Sequence, residues 1–268
     1  MAEYLAETIE SVLVNLRPGD EYFVIDGGSS DSSLEVIQRY ADRITGWVSE
    51  PDRGYADALR KGFERSNAGY QCWINSGDLL LSGALAAASE HLATTGADMI
   101  FGDDLYIDEN GRVLQVSNGQ VDDLLAMMLY GGWTPLQDAC YWRRSLYEKV
   151  GGIDPLQRYA ADYDLFLRMS LNGICQYVPT IFSAFRRHTA QTSNVNAKEY
   201  QRERERCRRR ELDRFSKGSW CQVSLNAVYW WKVRWRARMA GRKNNMAQLI
   251  GEDVAGLRCQ PFENLTRS

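Results

Sequence analysis

Short apolar runs alternate with helix-like segments over the first hundred residues of this sequence. The apolar runs are EYFVID (21–26), TGWVSE (45–50), YQCWIN (70–75) and ADMIFGD (97–103). Between them, apolar residues recur at intervals of three and four, the spacing of amphipathic helices. Strands that alternate with helices predict an α/β fold with a doubly wound, mostly parallel sheet.

Each of these runs ends in a polar side chain. The terminal residues are Asp26, Glu50, Asn75 and Asp103, and Asp78 follows shortly after Asn75. Ligands of open α/β sheets bind outside the carboxyl ends of the strands, so we expect these oxygen ligands to meet at one edge. Any one of them could instead be a cap or turn residue, because Asp and Asn are common in turns.

The second half of the sequence predicts a mixed arrangement. An Asn110–Gly111 hairpin signal follows the fourth run, and helical segments follow near 122–129, 145–150 and 162–172. Asn-Gly is typical of a tight turn between antiparallel strands. We therefore expect antiparallel strands to join the parallel sheet.

Charge divides the chain into two parts. Although the net charge is −3, residues 199–243 hold 14 Lys or Arg against five Asp or Glu. We predict a first domain over 1–197 and a basic, Trp-rich, helical extension over 198–268. Within 219–243, Trp residues alternate with Lys and Arg, a composition typical of a helix on an anionic membrane surface. The alternatives are packing of these Trp residues on the first domain and, less favoured, nucleic-acid binding.

The cellular setting follows from the cysteines and the N-terminus. Six cysteines lie at irregular spacings without a C-x-x-C pair, which predicts neither a zinc site nor a disulfide framework. The N-terminal residues are acidic, and no run approaches the roughly 20 apolar residues of a membrane span. We expect a cytoplasmic protein, with peripheral contact to the inner face of the cell membrane through the basic extension.

Three segments, in order, carry a resemblance to a known family. VIDGGSSDSSLEVIQRY (24–40), WVSEPDRGYADALRKGFERSNAGY (47–70) and CWINSGDLL (72–80) resemble the donor-binding half of family 2 glycosyltransferases, which have the Rossmann-like GT-A fold. The resemblance covers residues 3–190 and implies a hexosyltransferase. Such an enzyme moves a sugar from a nucleotide-diphosphate donor to an acceptor hydroxyl, with inversion. The acceptor would be a carbohydrate or a lipid-linked molecule of surface polysaccharide or glycoconjugate synthesis.

The resemblance also implies roles for individual residues on the donor side. Asp26 corresponds to the acid that binds the donor base, and Gly27 and Gly28 let the backbone approach the nucleotide. Asp52 and Arg53 lie in the EPDRG segment, which the resemblance places against the base or the phosphates.

The family's metal motif corresponds here to Asn75-Ser76-Gly77-Asp78, which has one acid where two are common. The resemblance implies Asp78 as a ligand of Mg²⁺ or Mn²⁺ and Asn75 as a further donor-side contact. One carboxylate can hold such a cation when the donor phosphates and water supply the other oxygens. The alternative is that the segment is simply a turn.

The catalytic base is expected at the start of a later helix. AADYDLFLRM (160–169) resembles the family segment that begins with two acids, with Ala161 at the first position and Asp162 at the second. Asp162 and Asp164 point about 200° apart on a helix, and we choose Asp162 as the base. It could instead complement the helix dipole.

Two further segments resemble the acceptor side of the family. They lie at 134–154 and 184–194, and they nominate Gln137, Arg186 and His188 for contacts to the acceptor or the phosphates. A lone histidine is more often an ordinary polar contact, which remains the alternative for His188.

The resemblance begins at an unexpected point in the fold. Family 2 enzymes start with a buried strand and a donor-binding loop, and only then reach the helix that residues 2–13 resemble. We therefore expect the first strand of the sheet to be missing, unless a later segment fills its place.

Two other function classes were weighed against a transferase. A nucleotidyltransferase would show a Gly-rich basic loop near its start, and the sequence has none. A non-catalytic or truncated nucleotide-sugar-binding relative stays open, because Gly77 and Ala161 stand where the family commonly has acids.

Overall fold

The computed structural model describes residues 2–117, 119–121, 123–131, 133–187, 196–216, 251–254, 257 and 260–261. Its first elements are α1 (Ala2–Leu13), β1 (Phe23–Asp26), α2 (Ser33–Arg39), β2 (Gly46–Ser49), α3 (Tyr55–Arg65), β3 (Tyr70–Gln71), β4 (Leu79–Leu80) and α4 (Ala84–Thr95). The later elements are β5 (Met99–Ile107), β6 (Val113–Ser117), α5 (Leu124–Ala126), β7 (Cys140–Arg143), α6 (Arg144–Lys149), α7 (Ala161–Asn172), β8 (Cys175–Arg186), α8 (Ala197–Ser216) and β9 (Gln260–Pro261).

The strands form a small and a large sheet. β1 and β2 pair in parallel as a two-stranded sheet. The seven-stranded sheet has the order β3-β7-β5-β8-β4, with β6 added to β5 and β9 added to β8. Within it, β5 and β8 are parallel and the remaining pairs are antiparallel. The sheet is therefore mixed, and the predicted Asn110–Gly111 turn connects β5 to β6.

Helices pack on both sheets through their apolar faces. α1 and α2 bury Leu5, Ile9, Val36 and Ile37 with Val24 of β1. In the larger sheet, β5 is almost completely buried because it has a paired strand on each side and helices on its faces. α7 contributes a run of buried side chains to the largest core cluster: Tyr163, Leu165, Phe166, Leu167 and Met169.

The predicted end of the fourth strand is wrong. β5 continues past Asp103 to Ile107, because β6 and β8 extend the hydrogen-bonded ladders on its two edges. Asp103 is 1% exposed and accepts hydrogen bonds from the Gly119 backbone N–H at 2.8 Å and the Tyr177 hydroxyl at 2.9 Å. It is therefore an interior residue of a strand and does not join the other strand-end acids.

A cavity of about 1380 Å³ lies between the two sheets. Phe23 and Ile25 of β1 line it on one side, and residues 70–74 of the β3 segment line it on the other. α1, α3 and α4 contribute further apolar lining. Among the described residues no strand joins β1 to β3, so the sheet is divided here.

Some expectations concern residues beyond the described ranges. The Trp-rich part of the extension, 219–243, and His188 both lie outside the described residues, and the predictions about them stay predictions. Within the part of the chain that the structure describes, the helices are too short or too polar to span a bilayer.

Candidate donor-binding and catalytic site

Asp26 closes β1 and is held by the turn that follows it. Its carboxylate accepts hydrogen bonds from the backbone N–H of Gly28 at 3.2 Å and of Ser29 at 3.1 Å, and from the Ser49 hydroxyl at 2.7 Å. Burial raises the pKa of Asp26, but the hydrogen bonds from Ser29 and Ser49 outweigh this effect and leave the pKa below its ordinary value. Asp26 is therefore an ionised acceptor at neutral pH.

The glycines after Asp26 bring two loops together. A Cβ on Gly27 would collide with the Asp52 carboxylate. Gly28 has a φ of +82°, and a Cβ added there would lie 3.2 Å from the Pro51 backbone. Asp52 in turn accepts a hydrogen bond from the Gly54 N–H at 2.8 Å. The sequence-predicted donor residues Asp26, Gly27, Gly28 and Asp52 thus lie at one end of the small sheet.

Arg53 has a different environment from its predicted neighbours. Its guanidinium lies 3.1 Å from the Asp57 carboxylate on α3, and 73% of its side chain is exposed. The ion pair ties the loop to the start of α3. A donor contact from Arg53 stays a prediction.

Asn75 lies among aromatic groups beside the cavity. Its Oδ1 accepts a hydrogen bond from the Tyr55 hydroxyl at 3.1 Å, and this hydroxyl accepts one from Trp73 Nε1 at 2.8 Å. Trp73 stacks on Phe166 with ring centroids 5.6 Å apart. The amide orientation of Asn75 is therefore set by a rigid aromatic cluster.

Asp78 is 4% exposed and is surrounded by hydrogen-bond donors. Its Oδ2 accepts from Gln137 Nε2 at 3.4 Å, and its Oδ1 accepts from the Arg186 backbone N–H at 3.1 Å. Burial, followed by the nearby Asp138 carboxylate, raises the pKa of Asp78 well above its ordinary value. The structure thus brings three sequence-predicted residues, Asp78, Gln137 and Arg186, into direct contact.

The Arg186 side chain is built into the fold. It is 1% exposed, donates to the Gly77 carbonyl at 2.9 Å and to the Glu109 carbonyl at 3.0 Å, and forms an ion pair with Glu7 of α1. Its guanidinium also lies 4.5 Å from the centre of the Tyr4 ring. These contacts connect β8 to α1 and fix the loop that carries Asp78.

A divalent cation at Asp78 would need most of its oxygen ligands from the donor phosphates and water. No group of three or more His, Cys, Asp or Glu side chains in the described ranges could hold a metal ion by itself. Both oxygens of Asp78 accept N–H donors of the protein in this structure. We therefore derive no step through a metal held by Asp78.

Asp162 begins α7 and lines the cavity. Its Oδ2 accepts a hydrogen bond from the Tyr200 hydroxyl at 3.3 Å, and its Oδ1 has no hydrogen-bond partner among the described residues. Burial raises the pKa of Asp162 above its ordinary value. Asp164 faces away from the cavity, and its carboxylate lies 2.6 Å from both Arg168 and Arg210.

Two arginines at the cavity were missed by the sequence analysis. Arg158 lies just before α7 with its guanidinium 5.5 Å from the Tyr159 ring centre, and Arg187 follows β8 at 3.8 Å from the Tyr106 ring centre. Both are exposed cations. The only signal for Arg187 was its place beside Arg186 in AFRRHTAQTSN, and nothing in the sequence distinguished Arg158.

Comparison with solved structures identifies the fold. The chain superimposes on S. aureus TarS 1-349 in complex with UDP with a TM-score of 0.61, covering 92% of this chain and 72% of that chain at 13% identity. It superimposes on the mannosyltransferase PcManGT from Pyrobaculum calidifontis, in complex with GDP-Man and Mn²⁺, with a TM-score of 0.57, covering 80% of this chain and 61% of that chain at 15% identity. The fold is the GT-A fold of glycosyltransferases, as the sequence predicted.

Sequence comparison then gives the family. Residues 2–151 match Glycosyl transferase family 2, and this stretch is more than half of the chain. An uncharacterized glycosyltransferase of Mycobacterium tuberculosis is 29% identical over 180 residues, which are 65% of this chain and 66%, just under two thirds, of that relative. The PGL/p-HBAD biosynthesis glycosyltransferase of Mycobacterium bovis is 21% identical over 210 residues, covering 75% of this chain and 78% of the relative. The chain belongs to glycosyl transferase family 2.

Proposed function

We propose that this chain moves a hexose from a nucleotide-diphosphate sugar to an acceptor hydroxyl, with Asp162 as the general base. Family membership supports glycosyl transfer. The type of donor is supported by two structural neighbours, because TarS was solved in complex with UDP-GlcNAc and PcManGT in complex with GDP-Man.

The partner-free oxygen of Asp162 is the observation that carries the base assignment. Oδ1 belongs to a cavity-lining carboxyl that otherwise receives one hydrogen bond, from Tyr200. Because burial raises the pKa of Asp162, this carboxylate binds a proton more strongly than an ordinary aspartate. A base whose pKa lies closer to the working pH transfers protons more efficiently.

The reaction is a direct displacement, which inverts the anomeric centre. The acceptor oxygen forms a bond to the anomeric carbon while the bond from that carbon to the diphosphate breaks. The acceptor proton moves to Asp162, and the bonding electrons leave with the diphosphate. Arg158 and Arg187 would offset the negative charge that develops on this leaving group.

The donor base is assigned to the end of the small sheet. Asp26 is ionised, and an ionised carboxylate is a hydrogen-bond acceptor suited to the N–H groups of a nucleobase. Gly27 and Gly28 are exposed beside the Asp52 loop, so their backbone is accessible to a nucleotide, and this supports the roles that the resemblance implied for both segments.

We extend the proposal to a carbohydrate or lipid-linked acceptor. The relative named for PGL/p-HBAD biosynthesis supports a role in glycoconjugate synthesis. Contact of segment 219–243 with an anionic membrane would bring a lipid-linked acceptor close to the site, as its Trp and Arg composition predicts.

Release of nucleoside diphosphate from UDP-GlcNAc and GDP-mannose tests the base assignment. We expect Asp162→Asn to lower the rate by about 10² or more, the usual scale for loss of a general base, while donor binding measured by calorimetry stays near that of the parent. Asp42→Asn changes an exposed carboxylate that does not line the cavity and serves as the control.

Two outcomes would count against the proposal in different ways. An undiminished rate in Asp162→Asn would show that another group accepts the proton. Donor binding without any turnover in the parent chain would favour the alternative, a non-catalytic nucleotide-sugar-binding relative.

A further inference from the structure

The backbone that precedes α7 is held by a carboxylate from a distant helix. Glu203 of α8 is 5% exposed, and it accepts hydrogen bonds from three successive N–H groups, those of Arg158 at 3.2 Å, Tyr159 at 2.7 Å and Ala160 at 2.9 Å. Free N–H groups at a helix start normally bind a local cap or water. Here α8 supplies the acceptor, so the segment between Arg158 and Asp162 depends on α8 for its conformation.

The same helix reaches the Asp162 carboxylate itself. Tyr200, one turn before Glu203, donates its hydroxyl hydrogen to Asp162 Oδ2 at 3.3 Å. This bond engages Oδ2. The other carboxyl oxygen, Oδ1, has no hydrogen-bond partner among the described residues. Both Tyr200 and Asp162 line the cavity.

Further contacts anchor α8 along α7. The Arg204 guanidinium lies 4.7 Å from the centre of the Tyr163 ring and 5.4 Å from that of Tyr200. Arg210 forms the ion pair with the buried Asp164 at 2.6 Å. α8 is thus attached to α7 at two points after Tyr200, and these contacts hold Tyr200 against the carboxylate.

We propose that Tyr200 and Glu203 are positioning residues for Asp162. Glu203 fixes the backbone before α7, and Tyr200 fixes the carboxylate through its Oδ2 atom. The inference rests on the proposed function of Asp162. It deepens that function, because it states that side chains of α8 set the orientation and the proton affinity of the base.

The groups around Asp162 make Tyr200 the proton donor of this contact. Tyr55 from α3, Cys140 from β7, and Tyr200 and Arg204 from α8 all lie close enough to interact electrostatically with Asp162. Burial raises the pKa of Tyr55, Cys140 and Tyr200, so these groups stay protonated at neutral pH. Burial also raises the pKa of Asp162, and the hydrogen bond from Tyr200 acts in the opposite direction. Loss of the hydroxyl should therefore raise the Asp162 pKa further.

Tyr200→Phe tests the positioning role directly. The Asp162 carboxyl carbon is followed by NMR in a pH titration of ¹³C-labelled protein, and its signal is assigned by its absence in Asp162→Asn. We expect the Asp162 pKa to move upward in Tyr200→Phe. In assays of UDP-GlcNAc hydrolysis, the acid limb of the plot of kcat against pH should also move to higher pH. We expect kcat to fall about tenfold and KM to change little.

Matched variants separate positioning from general damage to the fold. Tyr147→Phe removes another half-buried hydroxyl, which accepts from the Ile153 N–H and does not touch Asp162. Glu203→Gln leaves one acceptor oxygen for three N–H groups, and we expect about a tenfold lower kcat. Glu205→Gln changes a carboxylate of the same helix that pairs only with neighbouring arginines, and it should retain parent kcat.

The outcomes distinguish this inference from the proposed function. An unchanged Asp162 pKa in Tyr200→Phe would overturn the inference, because a purely structural role would lower the thermal midpoint without moving the titration. Full hydrolysis by Asp162→Asn would overturn the proposed function instead. The NMR titration would still report whether Tyr200 controls the carboxyl group.

Discussion

Asp162 and Asp164 lie two residues apart on α7 and have opposite environments. Asp164 is fully buried, and both of its oxygens face guanidinium groups, those of Arg168 and Arg210. Asp162 has one oxygen without a partner in the described structure. A buried carboxylate that lacks hydrogen-bond or ion-pair partners lowers the stability of the folded state. A buried carboxylate that is paired compensates the charge of its partners, so its removal leaves those charges buried without an acceptor. The two residues should therefore respond differently to the same substitution.

We expect Asp164→Asn to lower the free energy of unfolding by about 1–3 kcal/mol, because two arginines lose their charged acceptor. Asp162→Asn should leave the free energy of unfolding unchanged or raise it slightly, since an amide avoids the cost of burying a charge. Urea unfolding at pH 7 measures both, and Asp20→Asn at the surface should stay within about 0.5 kcal/mol of the parent. A greater loss in Asp162→Asn than in Asp164→Asn would contradict this assignment of environments.

Individual site residues could be predicted where their partners are close in the sequence. Asp26 and its glycines form one turn, so a local motif was enough to nominate them together. Tyr200 contacts Asp162 from 38 residues away, and no local pattern around Tyr200 indicates that contact. The sequence also favoured Arg186 over Arg187, but the first is anchored in the interior and the second is exposed at the cavity.

At the level of elements, helices were easier to predict than strand ends. The apolar periodicity of α1 and α7 reflects burial of each helix against its own neighbours, which a short window of sequence records. The length of β5 depends on pairing with β6 and β8, and β8 lies some 70 residues further along the chain. That information is not local, so the run at 97–103 indicated a strand but not its continuation to Ile107.

Three elements of the large sheet bring buried polar side chains together. Asp104 lies on β5, Asp138 precedes β7 and Ser183 lies on β8, and all are at most 1% exposed. Neither oxygen of Asp138 has a hydrogen-bond partner within the described ranges. Burial raises the pKa of Asp138 to about 7 and that of Asp104 well above its ordinary value. No local sequence pattern distinguishes these three residues.

This cluster predicts that the fold loses stability as the pH rises toward neutrality. A raised pKa means that the folded state binds the proton more tightly than the unfolded state. The contribution of Asp138 is therefore complete below its ordinary pKa of 3.8 and is lost as the pH rises to about 7. Asp138→Asn cannot ionise and should remove a slope of up to about 1.4 kcal/mol per pH unit in this interval.

Urea unfolding of the parent and Asp138→Asn between pH 4.5 and 7.5 measures the difference in slope. Carboxylates remote from Asp138 act on both proteins equally and cancel in this comparison, whereas Asp78 and Asp104 interact with Asp138 and belong to the measured difference. Asp20→Asn should have the slope of the parent. If the parent and Asp138→Asn lost stability at the same rate over this range, Asp138 would titrate normally in the folded protein.

In the whole molecule, the proposed donor-binding and catalytic residues belong to different parts of a divided sheet. Asp26 and Asp52 lie at the end of the small sheet, whereas Asp162, Arg158 and Arg187 are carried by elements of the large one. The cavity separates the two sheets. A nucleotide with its base at Asp26 and its diphosphate at the arginines would therefore contact both sheets and favour the folded state of each.

We expect UDP to raise the thermal midpoint of the chain, because a ligand of the native state adds about 2.7 kcal/mol of stability at 100 times its Kd. Asp26→Ala should reduce this shift in thermal midpoint because the contact to the uracil base is lost. Arg187→Gln should reduce it because the contact to the diphosphate is lost. Uridine, which has no diphosphate, should give a smaller shift that Arg187→Gln does not alter.

The shift in thermal midpoint with UDP should persist in EDTA, because the arginines offset the charge of the diphosphate. A shift that requires Mn²⁺, or one that survives Arg187→Gln intact, would show that the diphosphate is bound elsewhere.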